Sequence, residues 1–452
     1  MERPGFGQRV VPVPGSVLAS PAVAHYDPDP DYFFHWFRDA AIVIDALRVA
    51  LAAGYAERSA VNRFREFVQF NRSLQTLDGR ELLRNGDFRS RVQPSFLGYV
   101  RADAELGALS GQRVLADTRV NADGTLDFIR WSRPQNDGPA MRGIALLRWW
   151  QQVPEVHQDP PLRGALSDLI RTDLAFTLAH VHEPCSDPWE ETPGYHYYTQ
   201  VLQAEALRCG AQWLAGTGQP EAAPPERIAA QETFAHLDGY WDQTAGFYRA
   251  HGDGAGKGLD TATVLGVLHA GRSGGAHSVL DPRAQATLTV LEELFEAQYA
   301  INRQRAAGHG PALGRYPDDR YFSGGAWFLA TLAAAEFYFR LAQALRSGSS
   351  MAFVPDNLRF RERLGAAGPA PVGEELARLA VARGDAIMQT VRTYTPESGA
   401  LSEQFDQTTG AQTSAKHLSW SYAAFITAAA SRDRACRATP AADHAMKPAG
   451  TA

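Results

Sequence analysis

Apolar residues three and four positions apart recur along most of this 452-residue chain, and that spacing leaves room for little except helices. The pattern predicts helices over 37–53, 57–76, 137–152, 161–181, 195–215, 226–240, 260–270, 282–305, 323–347, 372–393 and 415–431. Local punctuation supports several of them. Asp281 before Pro282 offers an N-cap followed by proline at the first helical position. Ser323 is placed to cap the helix containing Trp327 and Phe328, while Gly54 and Gly348 are placed as stops. No series of alternating strands appears, although 80–130 has room for short hairpins. The expectation is an all-α fold of helical hairpins packed around a common axis, without a strict repeat in residue identity.

The segments between the helices are unusual. "YFFHWFRDA" (32–40), "IRWSRPQNDGP" (129–139), "DPWEETPG" (187–194), "GRYPDDRYFSGGAW" (314–327) and "LSEQFD" (401–406) combine aromatic rings, arginines and carboxylates. Solvated loops seldom carry so many Trp and Tyr residues, and large rings at such places usually line a pocket. Apolar sugar faces stack on such rings, and Asp and Arg present acceptors and donors in fixed geometry to paired hydroxyls. Hydrolysis of a glycosidic bond then needs two carboxyl groups from different parts of the fold. Glu190 or Glu191 supplies one candidate and Glu403 another. Carbohydrate-binding proteins use the same mixture, so the residues alone leave binding and hydrolysis both open.

Composition narrows the partners. Net charge is −6, only Lys257, Lys416 and Lys447 among the 44 basic residues are lysines, and no basic run occurs. Nothing therefore points to nucleic acid or an anionic membrane surface. The opening "MERPGFGQRVVPVPGSVLAS" lacks a charged region followed by an apolar stretch, and no apolar run reaches membrane-spanning length. Cys185, Cys209 and Cys436 are odd in number and lack metal-type spacing. A cytoplasmic protein without metal or cofactor is the simplest reading, with a processed secreted form as the alternative.

Ordered blocks then make a resemblance specific. "GSVLASP" (15–21), "DPDYFFHWFRDAAIV" (29–43), "WSRPQNDGPAMR" (131–142), "PWEE" (188–191), "LDTATVL" (259–265), "GRYPDDRYFSGGAWFLATLAAAE" (314–336), "LSEQFD" and "LSWSYAA" (418–424) resemble the glucoamylase family of inverting exo-acting α-glucosidases, glycoside hydrolase family 15. The resemblance runs from about Gly15 to Ala430. It implies an (α/α)6 barrel of six inner and six outer helices, one catalytic domain over 1–435, and a disordered tail over 436–452.

The resemblance also implies roles. Glu190 matches the general acid, Glu403 the general base, and Glu191 a substrate-binding carboxylate on the leaving-group side. Tyr32 and Gln404 match residues holding the attacking water. Arg38 and Asp39 match the pair gripping the terminal glucose, and Arg315 with Asp318 or Asp319 lies in another sugar-contacting block. Trp36, Trp131, Trp189, Trp327 and Trp420 stand where the family places pocket walls. Glu191 and Trp189 are expected to keep the acid protonated. Asp260 is expected to order a helix start, Cys185 to be a small buried residue, and His35 to be a supporting side chain.

The expected substrate is a soluble α-linked gluco-oligosaccharide cleaved from its non-reducing end to β-glucose. No starch-binding module follows the barrel, so granular starch is expected to be a poor substrate. Tyr195 and His196 stand where starch-degrading members carry small polar residues, which suggests an α-1,6 (isomaltose-type) preference. A maltooligosaccharide glucoamylase or trehalase is the same-family alternative, and a non-catalytic glucan-sensing module is the alternative from another class.

Overall fold

The computed structural model describes residues 1–22, 29–217, 223–252, 258–366 and 373–437. The helices of nine residues or more in it are α1 (Phe37–Ala53), α2 (Ala60–Ser73), α3 (Asp137–Gln152), α4 (Pro160–His180), α5 (Tyr197–Gly216), α6 (Pro224–Leu237), α7 (Ala262–Ala270), α8 (Pro282–Gln298), α9 (Phe328–Arg346), α10 (Glu374–Thr393) and α11 (Ser419–Arg437).

Two burial patterns sort them into layers. In α9 every residue from Phe328 to Phe339 is buried, and Ala333, Ala334 and Ala335 let neighbouring helices approach closely. A helix buried on all sides belongs inside. In α2 the buried Val61, Phe64, Phe67, Val68 and Asn71 share one face, while Asn62, Arg63 and Gln69 meet water. That is the amphipathic pattern of an outer helix. The inner helices α1, α3, α5, α7, α9 and α11 pack in that order, and α11 returns to α1 and closes the ring. Outside it, α4 packs on α3, α6 on α5, α8 on α7 and α10 on α9, with α2 against α4. The architecture is the all-α (α/α)6 barrel.

The alternation of layers decides where a site can form. Between successive inner helices the chain runs out and back, so two reversals restore its direction. All six inner helices then run the same way, and their N-terminal ends meet at one end of the ring. Trp36, Asn136, His196, Thr261, Trp327 and Leu418 each stand directly before an inner helix. The aromatic and charged segments noted in the sequence are therefore gathered by topology, not by proximity along the chain.

Several expected boundaries shift. Ser323 caps nothing: Trp327 is in a strand and α9 begins at Phe328, because pairing with a distant segment wins over helix extension. The helix expected over 57–76 ends at Ser73 in a 3-10 turn, and that over 282–305 stops at Gln298 before a short turn, Ala300–Arg303. Asp281 does cap α8, accepting from Arg283 N at 2.9 Å. Residues 80–130 hold several short helices and one small hairpin, where Val120 bridges Leu126 and Asn121 N donates to Thr125 O at 2.9 Å; their strand Arg119–Asn121 also pairs with Phe34–Trp36. Helix α11 continues to Arg437, so Cys436 and Arg437 are helical, while residues 438–452 lie outside the described residues. No helix among the described residues is long and apolar enough to cross a membrane.

Candidate active site

Short β pairings staple the loops at the N-terminal end of the inner ring. β1 (Phe34–Trp36) runs antiparallel to β2 (Arg119–Asn121), with Trp36 opposite Arg119. β3 (Cys185–Ser186) pairs with β4 (Pro193–Gly194) and pinches the loop between them. β6 (Gln404–Phe405) lies between β5 (Ala326–Trp327) and β7 (Gln412–Thr413). They surround a cavity of about 230 Å³ lined by Tyr32, Trp36, Arg38, Asp39, Trp131, Trp189, Glu190, Glu191, Arg315, Trp327, Glu403 and Trp420. The candidates missing from this wall are Gln404, Asp318, Asp319, Tyr195 and His196. Ala19, Pro188, Tyr321 and Leu418 complete it, unforeseen from the sequence.

Glu190 is held in a backbone conformation that side chains rarely adopt, with φ 67°. Asp187 organises that turn: its carbonyl accepts from Glu190 N at 3.0 Å and its carboxylate from Glu191 N at 2.8 Å. Such strain costs of order 1–3 kcal/mol and persists where the surroundings over-determine it. Here the carboxylate itself is fixed. Its Oε1 accepts from Trp36 Nε1 at 2.8 Å and from Arg38 Nη2 at 3.1 Å, and its Oε2 accepts from Trp131 Nε1. The neighbours expected to act on it are engaged elsewhere. Glu191 turns to Arg315 Nη2 at 2.8 Å and accepts from Tyr316 Oη at 2.6 Å. Trp189 donates to both oxygens of the buried Asp260, at 2.9 and 3.0 Å.

Glu403 has different surroundings. It is buried, and Ser414 Oγ donates to its Oε2. Ser414 sits at φ 65° in the turn after β7, close to Glu403 because Glu403 N donates to Ala415 O at 2.8 Å. Burial pushes the Glu403 carboxyl up to about 7; the Ser414 hydroxyl and Arg315 pull it down, and Asp39 and Glu190 add to the rise. Asp39 is likewise pushed up to about 7, first by burial. Tyr32 and Tyr321 share a hydrogen bond of 2.8 Å between their hydroxyls, beside Glu403.

Two arginines anchor opposite walls. Arg38 donates to Gln135 at 2.9 Å, Asp137 at 3.0 Å and Glu190. Arg315 forms a two-toothed ion pair with Asp319, 2.7 Å on each side, and stands over the rings of Trp189, Tyr321 and Trp327. Arg38 Nε, Trp327 Nε1 and Trp420 Nε1 are buried donors without a protein acceptor. Asp319, not the exposed Asp318, is the partner of Arg315.

The structure moves other expected residues away. Gln404 is buried off the cavity wall, where its carbonyl oxygen accepts from Gly325 N at 3.3 Å. His196 is buried against Cys185, whose carbonyl it meets at 2.9 Å, and its ring packs on His251. Tyr195 is exposed and also off the wall. Neither side chain lines this cavity, so its wall lends no support to an α-1,6 preference. The cause is the β3–β4 pinch, which ends the loop at Gly194 and directs the chain into α5. His35 is fully buried beneath the site, and Cys185 is buried as expected. Asp260 orders the start of α7 by accepting from Ala262 N at 2.7 Å, while also holding Trp189. Gln135, Asp137, Tyr316 and Tyr321 belong to blocks visible in the sequence, whereas nothing local marks Ser414.

Comparison with known proteins identifies the family and agrees with the fold. A family model described as glycosyl hydrolases family 15 matches residues 7–80 and 108–430. Glucoamylase-1 of Arthroderma benhamiae is 29% identical over 432 residues, covering 93% of this chain. The chain spans 65% of that protein's length. The family 15 glucoamylase of Hypocrea jecorina superposes with a TM-score of 0.78 at 27% identity, over 93% of this chain and 67% of its own. The fold of Saccharomycopsis fibuligera glucoamylase also superposes with a TM-score of 0.78, over 95% of this chain and 91% of its own, at 24% identity. With a barrel of this architecture, two carboxyls in one pocket and a family match along most of its length, the chain belongs to glycosyl hydrolases family 15.

Proposed function

We propose that this protein hydrolyses soluble α-linked gluco-oligosaccharides from the non-reducing end, releasing β-glucose by an inverting mechanism. The observation that carries the reading is the pair Glu190 and Glu403, far apart in sequence, on one small cavity in unlike surroundings. Glu190, beside the half-exposed Trp131 at the mouth, is placed to give its proton to the glycosidic oxygen as the C1–O bond breaks. Glu403, deeper and next to Tyr32 and Tyr321, is placed to take a proton from the water whose oxygen attacks C1 on the other face. The proton balance closes when Glu403 releases its proton to solvent and Glu190 regains one. Configuration at C1 is then inverted.

The deeper wall fits one terminal sugar ring. Arg38, Asp39 and Arg315 offer donors and acceptors to hydroxyls, and Trp189, Trp327 and Trp420 offer faces. Buried donors of Arg38, Trp327 and Trp420 without protein acceptors suit a polyhydroxylated ligand. The relatives carry the name glucoamylase, which favours that activity here over an α-1,6 specialist, a trehalase or a non-catalytic sensor. We propose one catalytic domain over 1–435 and a cytoplasmic setting, the latter from the unpaired Cys185, Cys209 and Cys436. Proton NMR on a fresh maltotriose digest, read before the maltose product is itself cleaved, tests the mechanism: the glucose released appears first as the β anomer, and an initial α-glucose signal overturns inversion. Absence of any glucose release overturns the enzyme reading.

A further inference from the structure

We propose that Arg119 is a positioning residue for the acid Glu190, acting through the two tryptophans that donate to its carboxylate. This inference rests on the reading of Glu190 as the proton donor.

The geometry converges from behind the cavity wall. Arg119 stands opposite Trp36 in the β1–β2 pairing, and cross-strand partners share a face of the ribbon. Its guanidinium is 3.9 Å from the ring centroid of Trp131, 4.7 Å from that of Trp36 and 4.0 Å from that of Phe34. Trp36 and Trp131 meet edge to face at 5.9 Å, and both aim Nε1–H at Glu190. One buried cation thus touches the faces of both indoles whose edges hold the acid. A cation over an aromatic face is attracted by the ring quadrupole, most strongly when desolvated.

The cation is itself anchored. Arg119 Nε donates to Asp127 at 2.9 Å, and Asp127 also accepts from Arg133 Nη2 at 2.9 Å. Arg133 reaches on to Asp117, which accepts from Arg101 Nη1 at 3.0 Å. Three buried guanidiniums therefore share two buried carboxylates, with the half-exposed Glu105 at the far end on Arg101. Arg119 Nη1 has no protein acceptor. Burial pulls the Arg119 guanidinium below its usual range; Asp127 and, more weakly, Glu190 hold it up. Counted with Glu105 this chain of charges is balanced, and its Arg119 end is the one that lies against the two indoles holding the acid.

This arrangement has a use in the proposed reaction. As Glu190 gives up its proton, a carboxylate develops at its oxygens. Fixed N–H dipoles and a nearby fixed cation stabilise such developing charge without reorganising. A merely structural arginine would stabilise the fold without preferring this step.

Leaving groups separate the two roles. Maltose needs its departing oxygen protonated, whereas α-glucosyl fluoride has a leaving group that needs little acid assistance. Arg119→Met, Arg119→Lys and Glu190→Gln are each assayed on both substrates, with thermal unfolding as the check on folding. For Arg119→Met, kcat on maltose is expected to fall at least about tenfold, part of the roughly 10²–10⁴-fold that a positioned acid is worth, with KM nearly constant. Activity on the fluoride is expected to stay within about threefold of wild type, since little acid catalysis is there to lose. Arg119→Lys keeps the charge but loses the planar stack, so it should recover part of the maltose rate. The double variant Arg119→Met with Glu190→Gln should be no slower on maltose than Glu190→Gln alone. Equal losses on both substrates, or additive losses in the double variant, overturn the proposal. If Arg119→Met does not fold, Arg119→Lys decides: a maltose-selective loss supports the proposal, and a loss shared by both substrates overturns it. Glu190→Gln with full maltose activity would overturn the functional reading itself, while an inactive Glu190→Gln beside a fully active Arg119→Met overturns only this inference.

Discussion

The loops bearing Glu190 and Glu403 solve opposite problems with the same side chain. The first is a pinched turn, 187–192, closed by β3 and β4, and it presents Glu190 to three rigid N–H donors from Trp36, Arg38 and Trp131. The second is the start of a three-stranded sheet, and it buries Glu403 with one hydroxyl partner, Ser414. In the proposed mechanism, such fixed donors hold Glu190 at a set angle to the bond it would protonate. Burial with little hydrogen bonding makes a carboxyl basic. In the proposed mechanism these two environments separate the two roles given to identical groups, as elsewhere in acid–base catalysis.

The sharpest way to break this contrast is to neutralise each carboxyl in turn. Glu190→Gln and Glu403→Gln should each lower kcat on maltose by about 10²–10⁴-fold or more while binding persists. They should then part company on α-glucosyl fluoride, where only Glu403→Gln stays inactive. If both variants lose both substrates equally, the division into acid and base fails.

Acidity gives the next effect. A base must be ionised, and Glu403 is pushed up to about 7 by burial. As pH falls through that value the base is protonated, so kcat/KM of the free enzyme should fall below about pH 7. The Ser414 hydroxyl pulls the carboxyl down. Ser414→Ala should therefore move the acid limb to higher pH, with a larger loss at pH values below the limb than above it. A pH–rate profile with an unmoved acid limb would remove Glu403 or Ser414 from this account.

A smaller effect is expected at Glu191. It neighbours Glu190 in sequence but is bound to Arg315 and Tyr316. Glu191→Gln should raise KM on maltose by about 10-fold or more, with kcat changed less, as loss of uniform binding requires. A kcat loss as deep as that of Glu190→Gln would show that the two neighbours are not distinct. The smallest effect belongs to Tyr195→Ser, since this exposed ring lies off the cavity. Stability should stay within about 0.5 kcal/mol and the maltose-to-isomaltose ratio of kcat/KM should not change. A changed ratio would return this residue to the leaving-group side.

Helix existence was legible along the chain because each layer leaves a period in the apolar residues. The boundaries of α1 and α3 are those expected from the sequence. The start of α9 was not, because Ala326 and Trp327 pair with Gln404 and Phe405, and no local pattern reports a partner so distant. The catalytic candidates were legible as well. Chemistry needs particular residue types, and Glu190, Glu403, Arg38 and Arg315 stand in blocks whose mixture of aromatic rings, arginines and carboxylates suits sugar binding or hydrolysis.

Orientation was decided by tertiary structure alone. Tyr195 and His196 follow the acid by a few residues, yet the β3–β4 pinch sends them out of the cavity. Arg119 and Ser414 lie outside every recognisable block, yet strand register sets one behind the indoles and a turn sets the other against Glu403. The sequence by itself determined that this chain forms helices and which side chains are candidates for the chemistry, because periodicity and residue type are local properties. Which carboxyl is gripped by fixed donors, which is buried, and what stands behind each depends on contacts between segments far apart in the chain. Those contacts exist only once the ring of inner helices has closed.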